Sequence, residues 1–194
     1  MNKTIKAALA GLVTSTAMLS AAYAEDIKVG ILLPYSGVYA ALGQDIDDAF
    51  ALGLETFGAD SGATFEIVRE DTEVKPPVGL AKTKKLILQD EVDVMVGVVS
   101  SGVLGAIRDT VDGAGVPLIV ANAGNDEATG EACSPFITRI SFSNSQINRP
   151  MGQWMFDRGV KKVFTIAPDY AAGRQMIDAF TTAFTAAGGE VVGQ

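Results

Sequence analysis

Histidine is absent from this 194-residue chain, and cysteine occurs once, as Cys133. Without imidazole there is no Ser–His or Cys–His nucleophile and no histidine metal ligand, so chemistry of that kind is excluded and no cofactor or metal is expected. A single cysteine cannot close an internal disulfide. Cys133 is expected to be a small, partly buried residue, or the half-cystine of a pair whose partner lies beyond Gln194. Basic residues are scarce: 15 Lys and Arg stand against 23 Asp and Glu, a formal charge of −8, which makes nucleic acid and anionic membrane surfaces poor partners. Equally missing are a G-x-x-x-x-G-K-[ST] loop, a G-x-S-x-G elbow, and a G-x-G-x-x-G turn after the first strand, where Pro34-Tyr35-Ser36-Gly37 stands instead. No pair of carboxylates has a spacing that implies acid/base catalysis.

What is present begins with a leader. Lys3 and Lys6, an apolar run over 7–22 and the small residues around Tyr23 in Ala22-Tyr23-Ala24 form the pattern of a secretory signal, with cleavage expected after Ala24. A membrane anchor suits the run less well, because it is rich in Ala, Thr and Ser and no basic stop-transfer segment follows. No lipid-attachment cysteine follows it, so soluble export is expected. From Glu25 onward 170 residues remain, with 13 basic and 23 acidic side chains and a formal charge of −10. That length and its Val, Ile, Leu, Ala and Gly content are ample for a folded unit with a core.

Short β-branched runs alternate with helical stretches, the pattern of an α/β protein with a mainly parallel sheet. Strands are predicted at 27–33, 64–68, 92–99, 117–121 and 162–167, with an extended stretch at 136–141 and a further strand beginning at Glu190. Between them, a helix after Gly43 carries Ile46, Phe50, Leu54 and Phe57 on one face, with Asp45, Asp47 and Asp48 in its positive first turn. The acidic loop Glu70-Asp71-Thr72-Glu73 leads to a helix from Pro76-Pro77 to Leu88, whose Lys82, Lys84 and Lys85 read as a solvated face. Leu104, Ile107 and Val111 mark a third helix, and 146–157 a fourth in which Ile147, Met151 and Trp154 are expected to face inward. A last helix, 172–187, carries Met176, Phe180 and Phe184 on one stripe.

In open α/β sheets a ligand sits at the carboxyl ends of the strands, where loops open helices whose free N–H groups attract an anion. Ser100-Ser101-Gly102 suits that role, since two hydroxyls and successive amides can clasp a carboxylate; equally, one serine can simply cap the helix. Ala121-Asn122-Ala123-Gly124-Asn125 is the second such loop, with small residues that admit a ligand and amides that offer donors and acceptors; an ordinary turn explains it as well.

These residues also carry a resemblance. Val29-Gly30-Ile31-Leu32-Leu33-Pro34-Tyr35-Ser36-Gly37, continuing to Ala40 and Gly43, is similar to the opening of the type I periplasmic solute-binding proteins of ABC transporters, leucine/isoleucine/valine group. Gly97 to Ser101, Gly115-Val116-Pro117, the loop at 121–125, Asp169-Tyr170-Ala171-Ala172-Gly173 and Ala187-Gly188-Gly189 match in order and spacing. The resemblance implies a doubly wound parallel sheet in each of two lobes that close on a ligand. Residues 1–24 would be the signal, 25–138 most of lobe one, and 139–194 the beginning of lobe two, an apparently truncated member of the family. Carried over by position, Ser100 and Ser101 would hold the ligand carboxylate. Asn122, Ala123 and Asn125 would line the same wall, Leu42 would touch the ligand side chain, and Tyr170 would reach across the cleft.

The implied function is that of a non-enzymatic periplasmic protein. It would capture a branched-chain amino acid or a related, possibly aromatic, carboxylic acid for the membrane permease of an ABC transporter. The alternative is a ligand-sensing receptor domain of the same fold. In amino-acid-binding relatives an acidic group from the later half neutralises the ligand amine, and no such position is assignable here. An exported α/β hydrolase is disfavoured by the missing histidine and elbow. As a complete product, these residues would be expected to bind ligand poorly, with an uncovered sheet edge and exposed apolar faces.

Overall fold

The computed structural model describes residues 26–194, so the expected leader lies outside the described residues. β1 (Asp26–Leu33) is apolar almost throughout because both its faces are covered. It pairs in parallel with β2 (Thr64–Asp71) and with β3 (Val94–Gly97). β4 (Leu118–Val120) and β5 (Ile137–Arg139) complete a parallel sheet of order β2-β1-β3-β4-β5. Strand side chains alternate between two layers. Val29, Ile31, Leu33 and Val96 pack with Ile46 and Phe50 of α1 (Ala40–Phe57). Leu32 and Met95 point into the larger layer, where α2 (Pro76–Leu88) supplies Leu86 and α3 (Ser101–Ala114) supplies Val103, Leu104, Ile107 and Val111. The sheet is therefore doubly wound, and its order reverses between β1 and β3.

The remaining elements form a second, smaller unit. β6 (Lys162–Phe164) and β7 (Glu190–Gly193) make a two-stranded parallel sheet, packed with α4 (Asn144–Asp157) and α5 (Ala171–Ala186). Phe184 is its fully buried anchor, stacked on Phe180 at 5.5 Å between ring centres and edge-on to Phe156 at 6.4 Å. β5 ends at Arg139, so it straddles the lobe boundary expected at 138.

Several expectations need correction. A 3-10 turn, Gly37–Tyr39, feeds α1 directly, so the helix starts at Ala40 and Gly43 lies buried within it. Asp45, Asp47 and Asp48 thus miss the first turn. Asp47 is buried instead, accepting hydrogen bonds from Tyr35 Oη at 3.1 Å and Arg69 Nε at 2.8 Å. β2 runs on through Glu70 and Asp71, placed in a loop by the sequence reading, because its pairing with β1 continues to Leu33. Glu70 is buried there and takes Lys82 at 2.6 Å and Lys85 at 2.8 Å, so those lysines are paired rather than simply solvated.

β3 stops at Gly97, two residues short of the expected end. Its φ of +137° belongs to glycine, and a Cβ there would strike the Leu32 carbonyl. On α4, Ile147, Met151 and Trp154 are exposed, not inward-facing. The buried face is the one carrying Asn144 and Gly152, because Gly152 lets the helix approach the α5 backbone at Phe180 and Phe184, where any side chain would clash. Cys133 is exposed and free; Arg108 Nη2 donates to its carbonyl at 3.2 Å.

Candidate functional site

A parallel sheet brings the carboxyl ends of its strands to one edge, and a crevice opens where the strand order reverses. Here that point lies between β1 and β3. A cavity of about 340 Å³ occupies it, within the range of small-molecule sites. Each wall comes from a segment that follows a strand: Val38 and Tyr39 after β1, Val74 and Pro76 after β2, Ser100 and Gly102 after β3, and Pro168 and Tyr170 after β6 of the second unit. The site thus lies between the two units.

Ser100 is the N-cap of α3, with extended backbone and its Oγ accepting from Val103 N at 3.5 Å. That bond is long, and Ser100 lines the cavity. The N–H groups of the first turn, at Ser101 and Gly102, have no intrahelical acceptor, so a serine hydroxyl and a helix N-terminus converge on one spot with the polarity that suits a carboxylate.

Tyr39 and Tyr170 also line the cavity, with their hydroxyls 3.2 Å apart. Burial, and then the bond to Tyr39, push the Tyr170 hydroxyl up to about 12, so it stays protonated at neutral pH. No charged side chain lines this cavity.

Two β-branched residues hold this edge in left-handed backbone: Val74 with φ +59° and Val98 with φ +48°. Such conformations cost about 1–3 kcal/mol each and persist only where their surroundings impose them. Val98 is clamped by its N–H donating to Leu32 O at 2.9 Å and by its carbonyl accepting from Ala123 N at 3.0 Å. The turn bearing Val74 is held by Asp71, whose Oδ1 accepts from Tyr35 N at 2.9 Å and Glu73 N at 2.8 Å. Burial raises the Asp71 carboxyl, but hydrogen bonds from Ser36, Glu73 and Tyr35 outweigh it and hold it below its ordinary value.

Of the residues singled out in the sequence, Ser100 and Tyr170 line the cavity. Ser101 does not; it is 2% exposed, and its Oγ accepts from Asn144 Nδ2 of α4 at 3.1 Å. Asn125 is also buried, with Nδ2 donating to Ser101 O at 3.1 Å and Oδ1 accepting from Glu127 N and Ala128 N. Ala123 packs in the larger core layer, and Asn122 offers its carbonyl to Ser141 Oγ at 3.1 Å. Leu42 sits on the exposed face of α1, outside the cavity lining.

Tyr39 and Val74 escaped the sequence reading. Tyr39 carried a usable signal, an aromatic residue just beyond the first strand of a doubly wound sheet; Pro76 was read only as a helix start. Asn144 was also missed, although it joins the units by donating to Ser101 Oγ, while within its own unit it donates to Gln175 Oε1 at 2.7 Å. A second depression, of about 320 Å³, lies within the smaller unit alone, beside β6, and is lined largely by apolar side chains such as Met155, Val163 and Phe180. Among the described residues no helix is long and apolar enough to cross a membrane, and no three metal-ligating side chains cluster.

Known proteins share this architecture. The family model for the periplasmic binding protein matches residues 26–194, and the chain belongs to that family, one of binding proteins rather than enzymes. Membership implies a periplasmic location. The Leu/Ile/Val-binding protein homolog 6 of Brucella abortus (strain 2308) is 33% identical over 193 residues, which cover 96% of this chain and 48% of that protein. An ABC-transporter solute-binding protein from R. palustris, solved in complex with benzoate, superimposes with a TM-score of 0.82 at 42% identity, covering 87% of this chain and 47% of that one. Another, from Rhodopseudomonas palustris BisB5 in complex with 3,4-dihydroxybenzoic acid, gives 0.79 at 34% identity, with coverages of 87% and 46%. The chain spans about half the length of the relatives it matches.

Proposed function

We propose that this chain, exported by a signal at 1–24, captures a small carboxylic acid between two lobes, 25–138 and 139 onward, and presents it to the membrane permease of an ABC uptake transporter. The observation that carries this reading is the cavity at the reversal of strand order, where Ser100 and the N-terminus of α3 face Tyr170 of the second unit. An aromatic acid or a branched-chain amino acid both fit the reading, each held by its carboxylate at Ser100. The relatives solved with benzoate and 3,4-dihydroxybenzoic acid support it. The mechanism is hinge closure: a ligand touching both units favours the closed arrangement over the open one.

Thermal unfolding in the presence of candidate acids tests this. A ligand held only by the folded state adds about 2.7 kcal/mol of stability at 100 times its dissociation constant. Stabilisation by benzoate-like acids or by leucine, reduced by Ser100→Ala, is the expected result. An unfolding curve indifferent to both classes of acid would overturn the proposal.

A further inference from the structure

Capture of a carboxylate at Ser100 leaves the tyrosine pair that also lines the cavity without a task. Tyr39, from the turn after β1, and Tyr170, from the loop before α5, meet there with hydroxyl oxygens 3.2 Å apart, either of which can be the donor. Two hydroxyls that share one hydrogen bond keep one proton and several lone pairs without a partner. Their neighbours offer little: Val38 and Val74 are apolar, and Pro76 and Pro168 have no N–H to give. A half-buried donor in such surroundings gains from a ligand group that can accept its proton and loses when the ligand has none.

Resting on the reading above, we propose that Tyr39, acting with Tyr170, is a specificity-determining residue of the cleft. The pair reads a hydroxyl substituent on the ligand, so that the preferred class is a hydroxylated carboxylic acid with an apolar, ring-sized body. The carboxylate sits at Ser100 and the α3 N-terminus, the ring between Val38, Val74 and the two prolines, and the substituent hydroxyl joins the tyrosine pair. Tyr39 and Tyr170 come from different units, so that hydroxyl also ties the closed form together.

The test is titration calorimetry on the purified protein with 4-hydroxybenzoate, 3-hydroxybenzoate, benzoate and leucine, repeated with Tyr39→Phe and Tyr170→Phe. Both variants keep the ring and remove only the hydroxyl, and circular dichroism checks that they fold. The wild type is expected to favour one of the hydroxybenzoates over benzoate by about tenfold, the worth of one net hydrogen bond. In Tyr39→Phe that ratio should fall below about threefold, and Tyr170→Phe should follow it. Equal affinity of the wild type for benzoate and the hydroxy acids would overturn the inference while leaving carboxylate capture intact. So would a Tyr39→Phe variant that weakens all acids by one factor, since the pair would then only hold the units together. Binding of leucine alone would also overturn it, and failure of every acid to bind would remove carboxylate capture itself.

Discussion

The two units are written in the same alternation of strand and helix, yet they differ in how far they bury it. In the first, five parallel strands are covered on both faces, and Ile31, Leu32, Leu33, Met95, Leu104 and Ile107 are fully buried. In the second, two strands pack with two helices. Phe184 is its one large, fully buried side chain, while Ile166 is 90% exposed and Phe164, Val192 and Trp154 face outward. Two paired strands are marginal alone in water and rely on packing against helices. Among the described residues the first unit is thus the more deeply buried of the two. The cavity takes Ser100 from the first unit and Tyr170 from the second.

The comparison breaks most visibly at Phe184. Phe184→Ala should cost about 3–5 kcal/mol, enough to open the second unit while the first stays folded. Hydrogen exchange read by mass spectrometry should then show α4, α5 and β7 losing protection and β1 and β3 keeping it. Uniform loss across both sheets would mean that the units fold as one.

A smaller effect is expected at the joint. Asn144→Ala removes the donor shared by Ser101 Oγ and Gln175 Oε1, at a cost of about 1–3 kcal/mol. Calorimetric unfolding should separate into two transitions, the lower belonging to the second unit.

The two units should also part company in acid. Burial raises the Glu70 carboxyl, but Lys82 and Lys85 outweigh it, so its folded value lies below the ordinary one. A depressed carboxyl stabilises the folded state above its unfolded pKa, and that contribution is lost as pH falls through the lower folded value. Asp71 behaves in the same sense. Urea midpoints of the wild type should therefore drop below the usual carboxylate range, and Glu70→Gln, at about 1 kcal/mol in neutral buffer, should flatten that drop. The smallest change, Ile166→Ser, should alter stability by less than about 0.5 kcal/mol and reduce self-association in light scattering.

The scaffold was largely legible in the residues. Unbroken apolar runs marked buried parallel strands, Pro76-Pro77 marked a helix start, and Ser100 at the head of α3 marked a helix cap. Legibility failed where side chains choose partners. The apolar periodicity of α4 announced a stripe, but Gly152 sets the face that touches α5, and Ile147, Met151 and Trp154 end outside. Ser101 and Asn125 looked like ligand groups because their type and position suited one; the second unit and the adjoining 3-10 turn claim them instead. Tyr39 drew no notice, since nothing near it in the chain says that Tyr170, 131 positions away, will meet its hydroxyl.

The sequence by itself determined the α/β class, the strand and helix alternation and the acidic charge, because these follow from composition and from periods two and 3.6 residues long. The tertiary structure alone decided which serine lines the cavity, which face of α4 is buried and that Tyr39 and Tyr170 meet there. Those depend on distances between segments far apart in the chain, and local periodicity carries no information about them.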